Sequence, residues 1–272
     1  MKNKLNIKHN IYKQISIKKN YKMRYTLNKK IKNPTMIQGF PSLGLVSTIT
    51  TKFLTDHLDV EEVGYIESDK ITPLTAIHKG KILHPITIYY NKKYNLLIIQ
   101  SLAEVTGLEW DLASTIKMLA NEVEAKELIV IEGVQSKTPN IKLFYHSNKS
   151  KLNLTPLEEG IVTGTTAALL LEGKELPLTC IFAEAHSELP DSEAAAKVVD
   201  ALDNHLNLNL DYKPLLEDAK KFEGRMKKLK SMMELKQQMG GQPMQMPEQE
   251  PEGKKTKKTK AREEAEDVNY FG

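Results

Sequence analysis

The chain is poor in several things. Its 272 residues include one cysteine, Cys180, one tryptophan and only 6% aromatic residues. A lone cysteine closes no internal disulfide, so the fold does not rest on cross-links, and a reducing, cytoplasmic compartment is expected. No run approaches the roughly 18 to 20 uncharged apolar residues of a spanning helix, which argues against a helical membrane protein. Acidic residues are missing from residues 1–33, where ten Lys and one Arg give +11. Neither Gly-x-Gly-x-x-Gly nor Gly-x-x-x-x-Gly-Lys-Ser/Thr occurs, so the glycines form no recognised phosphate cradle. His78 and His84 have no ligand-spaced partner, and no metal or cofactor is implied.

What is present is ordinary in bulk, with 40% hydrophobic and 27% charged residues. The net charge of +4 conceals a partition, because residues 254–262 hold six basic residues and residues 263–267 four acidic ones. Removing these and the N-terminal charges from the totals of 39 and 35 leaves 22 basic and 31 acidic residues in 34–253, a net of −9. The body is therefore acidic and the ends are basic.

Residues 1–33 are dominated by Lys, Asn, Ile and Tyr, types encoded by adenine- and thymine-rich codons, and read as a disordered basic extension. A start placed too early, with the true one at Met23 or Met36, accounts for that composition. A nucleic-acid-binding arm is the rival, since clustered lysines neutralise phosphates of any sequence. One Arg and one Ser are too few for a transit peptide, and the apolar residues never gather into a signal-peptide core. At the other end, residues 237–251 contain five Gln, three Pro and two Gly, and a lysine-rich run follows. Such segments bury too little apolar surface to offset their ordering entropy, so 238–272 is expected to be a disordered linker with a distinctive terminus.

Between the ends, residues 34–40 predict a strand, 41–44 a turn and 45–58 an amphipathic helix, the start of an α/β unit. Residues 60–66, 71–77, 82–90 and 96–101 predict further strands, the last two joined by a hairpin at Asn91-Lys92-Lys93. A helix of period 3.6 follows over 107–125. Leu128-Ile129-Val130-Ile131 has the continuous apolar pattern of a parallel strand covered on both faces. Residues 141–145 predict a strand, 156–171 a helix rich in small residues, 178–183 a buried strand and 191–206 a helix capped by Asp191. The alternation predicts a three-layer α/β sandwich around a mixed, mainly parallel sheet over 34–212. In a last helix, 213–237, Leu215, Phe222, Met226, Leu229 and Met233 recur in a heptad seam, suited to self-association or to packing on its own domain.

Two places invite a search for chemistry. One is the turn at Gly39, Phe40, Pro41, Ser42 and Gly44; the other is His186 among Glu184, Glu188 and Asp191, just after a buried strand, where carboxylates beside a histidine could serve a metal or proton transfer. The plainer reading of the second is local satisfaction of the backbone, with Asp191 as N-cap. Gly160 to Thr166 lies inside the helical pattern and suits close packing better than phosphate binding. Cys180, in an apolar strand, reads as an unreactive core residue.

The runs Gly39-Phe40-Pro41-Ser42-Leu43-Gly44-Leu45-Val46, Ile131-Glu132-Gly133-Val134 and, above all, Ala183-Glu184-Ala185-His186-Ser187-Glu188-Leu189-Pro190-Asp191-Ser192-Glu193-Ala194-Ala195 resemble the PAC2 family of proteasome assembly chaperones in its archaeal form. The resemblance spans about Met36 to Leu235 and the extreme C-terminus. It implies a fold like that of nucleoside phosphorylases without their catalytic residues, a homo-oligomer, and binding of 20S proteasome α subunits. It also implies that the final triplet, Tyr270, Phe271 and Gly272, docks in pockets between α subunits, with a lysine taking the terminal carboxylate. Phe271 stands where that motif has tyrosine, and one lost hydroxyl bond is worth about 0.5 to 1.5 kcal/mol. A linker of about 30 residues reaches roughly 30 Å as a flexible coil. The rival function is a small-ligand enzyme of phosphorylase-like fold, working near Gly39, Gly44 and His186.

Overall fold

Consecutive side chains of a strand point to opposite faces of its sheet, so a run without a polar face must be covered on both. Met36-Ile37, Leu96-Leu97-Ile98-Ile99 and Leu128-Ile129-Val130-Ile131 are such runs, and in the computed structural model none of these residues is more than 1% exposed. The structure describes residues 23–217, apart from residues 79, 104, 137, 139, 187 and 188.

The strands are β1 (Arg24–Leu27), β2 (Thr35–Gly39), β3 (Val60–Glu67), β4 (Ala76–His78), β5 (Lys81–Leu83), β6 (Ile86–Asn91), β7 (Leu96–Ser101), β8 (Glu127–Gln135), β9 (Leu143–Ser147), β10 (Thr155–Pro156) and β11 (Leu178–Ala185). The helices are α1 (Val46–His57), α2 (Glu109–Glu122), α3 (Gly164–Glu172) and α4 (Ser192–Leu206). Nine strands form one sheet in the order β1-β3-β6-β7-β2-β8-β11-β9-β10, while β4 and β5 make a separate hairpin. The centre, β7-β2-β8-β11, is parallel. Antiparallel strands flank it: β6, β3 and β1 on one side and β9 on the other, with β10 parallel to β9.

Helices cover both faces, as the alternation predicts. Met36, Leu97, Val130 and Phe182 join Leu112, Ile116 and Leu169 of α2 and α3 in one core. Ile37, Ile98, Ile129 and Ile181 join Val46 and Leu54 of α1 and Val198 and Leu202 of α4 in the other. Alternate residues of each central strand thus feed opposite layers.

Four boundaries differ from the expectation. The described fold reaches into the segment expected to be a disordered extension: Met23 is 1% exposed, and β1 pairs antiparallel with β3 from Arg24↔Glu67 to Leu27↔Gly64. Its basic residues meet acids of the body, Arg24 with Glu67 at 3.5 Å, Lys32 with Glu124 at 3.4 Å, and Lys29 with Glu61. The segment expected over 82–90 breaks into β5 and β6 at His84-Pro85, because proline lacks a ladder donor. The segment expected over 71–77 keeps only β4. The helix expected from residue 156 starts at Gly164; Pro156 belongs to β10, and Ile161, Val162 and Thr163, whose β-branched side chains favour extended backbone, lie in the connection. Residues 213–217 begin the expected last helix, whose remainder, with the linker 238–272, lies outside the described residues.

Candidate functional site

The carboxyl ends of the central strands are where open α/β sheets hold ligands. Here the chain leaves β2 at Gly39, and Phe40 is buried in the α2/α3 core. Pro41 and Ser42 then lead into a 3-10 turn at Leu43–Leu45. Ser47 donates its hydroxyl to the Phe40 carbonyl, and Ser42 Oγ lies 2.9 Å from Ser47 Oγ while accepting the Gly133 N–H at 3.1 Å. A Cβ on Gly133 would stand 2.0 Å from the Leu43 carbonyl oxygen, so only glycine lets the loop settle on β8. Gly44 turns the chain at φ +65°, and its carbonyl accepts the Asp191 N–H at 2.8 Å.

Asp191 is the second hub. Its Oδ1 accepts the Ala194 N–H at 2.9 Å, capping α4 as expected, and its Oδ2 lies 3.2 Å from both the backbone N and the Nδ1 of His186. The structure therefore joins Ser42, Gly44, His186 and Asp191 on one shelf. Glu184 is not part of it. Alternation along β11 sends its side chain to the face opposite Ala185, where Oε2 accepts the Lys142 N–H at 3.0 Å. On the shelf, Ser42 and Asp191 tie the loop, β8 and α4 together, which is the plainer of the two sequence readings.

Two acids with shifted titration, one partly buried and one buried, escaped the sequence reading. Glu132, on β8, is pushed up to about 7 by burial, against which the Thr166 hydroxyl donates at 2.6 Å. Cys180 beside it is pushed up to about 12 by burial and by the Glu132 charge, so it stays a thiol. At the opposite end of the strands, Glu127 Oε2 is 2.9 Å from His205 Nε2, and Glu127 Oε1 accepts the Thr179 hydroxyl at 2.6 Å. Burial works upward on Glu127, but the bonds from His205 and Thr179 prevail and hold it below the ordinary carboxylate value. The bond to Glu127 raises His205, against partial burial. Nothing in the sequence links two residues 78 positions apart. His205 also borders a groove of about 950 Å³ between α4 and residues 151–155.

Of the residues assigned to self-association, Leu215 is 7% exposed and packs in one cluster with Phe53, Ala196 and Val199 of its own chain. Phe222, Met226, Leu229 and Met233, and the terminal Tyr270, Phe271 and Gly272, lie outside the described residues. No helix among the described residues is long and apolar enough to cross a membrane.

A model of the PAC2 family matches residues 36–230. An uncharacterized protein of Methanocaldococcus jannaschii is 29% identical over 220 residues, covering 76% of this chain and 90% of that one. PbaA of Pyrococcus furiosus, an archaeal homolog of proteasome-assembly chaperone, has a crystal structure similar to this one, with a TM-score of 0.70 at 26% identity over 79% of this chain and 95% of that one. PbaB of the same organism, an archaeal proteasome activator, has a TM-score of 0.66 at 19% identity over 77% and 99% of the two chains, a likeness of fold.

Proposed function

The chain belongs to the PAC2 family, and from that premise we propose that it is a non-catalytic proteasome assembly chaperone of the cytoplasm. The observation that carries the reading is the match to the family over residues 36–230, together with the 26% identity and common fold with PbaA. A non-catalytic role is supported by the shelf, where Ser42 and Asp191 are committed to bonds that hold loop, strand and helix in place.

The partner is the 20S α subunit or α ring, met by an oligomeric body and by the C-terminal triplet Tyr270-Phe271-Gly272. Two aromatics supply apolar area at low ordering cost, and the terminal carboxylate gives direction. Self-association draws on Phe222, Met226, Leu229 and Met233, because Leu215 is already packed inside its own chain. Several tails on one oligomer would then engage several pockets of a ring, raising avidity through effective concentration.

Surface plasmon resonance of the full chain over immobilised α rings tests this. Deleting residues 270–272 is expected to weaken binding by about tenfold or more, with the melting temperature unchanged. Full retention of affinity by the truncated chain removes the docking role of the triplet, and absence of binding by the intact chain removes the α ring as partner.

A further inference from the structure

We propose that the groove between α4 and residues 151–155 binds a small organic anion, its charged head held by Lys151 and Lys197 and its apolar body resting on Leu143, Leu152 and Leu154. The groove is lined by Ile141 and Leu143, by residues 151–155 between β9 and β10, and by Lys197, Asp200 and His205 of α4. At about 950 Å³ it is at the upper end of the range for small-molecule sites.

Charge selects the ligand. Residues 34–253 carry a net −9, yet this groove presents two lysines. Among the described residues, Lys151 and Lys197, like most lysines of the body, have no carboxylate within ion-pair distance; what sets them apart is that both line one groove. Asp200, the carboxylate on the groove wall, stands one turn beyond Lys197 and forms no ion pair with it. Lys197 is held in place by one bond, from Nζ to the Ile141 carbonyl at 2.9 Å, which leaves two of its three N–H groups for a ligand. His205 closes the same wall, fixed through Nε2 by Glu127, with its other ring nitrogen not engaged in that bond.

The floor asks for an apolar body. Leu152 is buried, Leu143 and Leu154 are partly buried, and all three belong to the core that α4 covers, so a bound ligand would continue that core outward. The leucines give a ligand a small apolar footing within a largely polar lining, and the two ammonium groups supply the main contacts to its head.

The proposal uses neither residues 270–272 nor the Gly39 to Gly44 shelf, so failure of the α-ring reading would leave it intact. Calorimetric titration of the full chain with octanoate and with adenosine monophosphate, beside the uncharged octanamide and adenosine, tests it. At least one anion is expected to bind with a Kd below about 1 mM, and its uncharged counterpart about tenfold more weakly. Octanoate would mark a carboxylate source and the nucleotide a phosphate one. Lys151→Met and Lys197→Met are each expected to weaken binding about tenfold while moving the unliganded melting temperature by less than about 2 °C. Lys151 is exposed, so its variant keeps the test open if Lys197→Met fails to fold. The proposal is overturned if neither anion binds, if inorganic phosphate binds as well as either, if Lys151→Met binds unchanged, or if only a hexaglutamate peptide binds.

Discussion

Replacing Glu132 with glutamine should stabilise the protein at pH 8 and leave it nearly unchanged at pH 5. The carboxyl of Glu132 titrates about 7 in the folded chain against a starting value of 4.5, because burial disfavours its charge more than the Thr166 hydroxyl favours it. The folded state therefore binds the proton more tightly than the unfolded one, and stability falls as pH rises from 4.5 to 7. At about 1.4 kcal/mol per unit, the loss above pH 7 is about 3 kcal/mol. Glutamine carries no charge and can still accept from Thr166, though its buried amide protons cost about 1 kcal/mol. The net gain at pH 8 is then about 2 kcal/mol, or roughly 4 to 8 °C in melting temperature for a body of this size. Thermal unfolding of both proteins at pH 5 and pH 8 measures it. Equal shifts at the two pH values would refute the reasoning, because a pure packing effect has no reason to follow proton binding.

Other outcomes follow from the same contacts. Gly133→Ala puts a Cβ 2.0 Å from the Leu43 carbonyl, and urea denaturation is expected to show a loss of about 3 kcal/mol; a loss under about 0.5 kcal/mol would mean that the loop yields freely. His205→Ala removes the charged partner of Glu127, leaving it the hydroxyls of Thr179 and Ser150, and should cost about 2 kcal/mol at pH 6. Glu127 is lowered, so its part of the pair is present above 4.5 and lost as pH falls through its folded value; His205 is raised, so its part is present below 6.5 and lost as pH rises through its own. The difference from wild type should therefore be largest between those limits and smaller at pH 9, and a difference that grows toward pH 9 would contradict the pairing.

Much of the central sheet was legible because its signals are local. The run at Leu128 to Ile131 can only be a doubly covered strand, and Asp191 precedes a helix whose third N–H it caps. What escaped was non-local. β1 hides in a lysine-rich segment because only four residues of it form the strand, and its charges are answered by Glu61, Glu67 and Glu124, far along the chain. The helix boundary at Gly164 was missed because alanine and leucine further on carried the periodic signal across an extended stretch. Around His186 the structure ties Asp191 to the histidine and to the Gly44 carbonyl, a link between the two places that the sequence offered separately, while strand alternation turns Glu184 to the other face and Phe40 is buried in the core. The Glu127 to His205 pair joins the start of β8 to the last turn of α4, and the lysines of the groove come from α4 and from the segment before β10, elements far apart in the sequence.

The turn that seats Leu43 on Gly133 has a consequence for how this protein meets the world. Where an open α/β sheet would leave a vacant crevice, the molecule has inserted its own main chain and bolted it with a serine hydroxyl. A partner that approaches this end of the sheet therefore meets a filled surface and not a hollow.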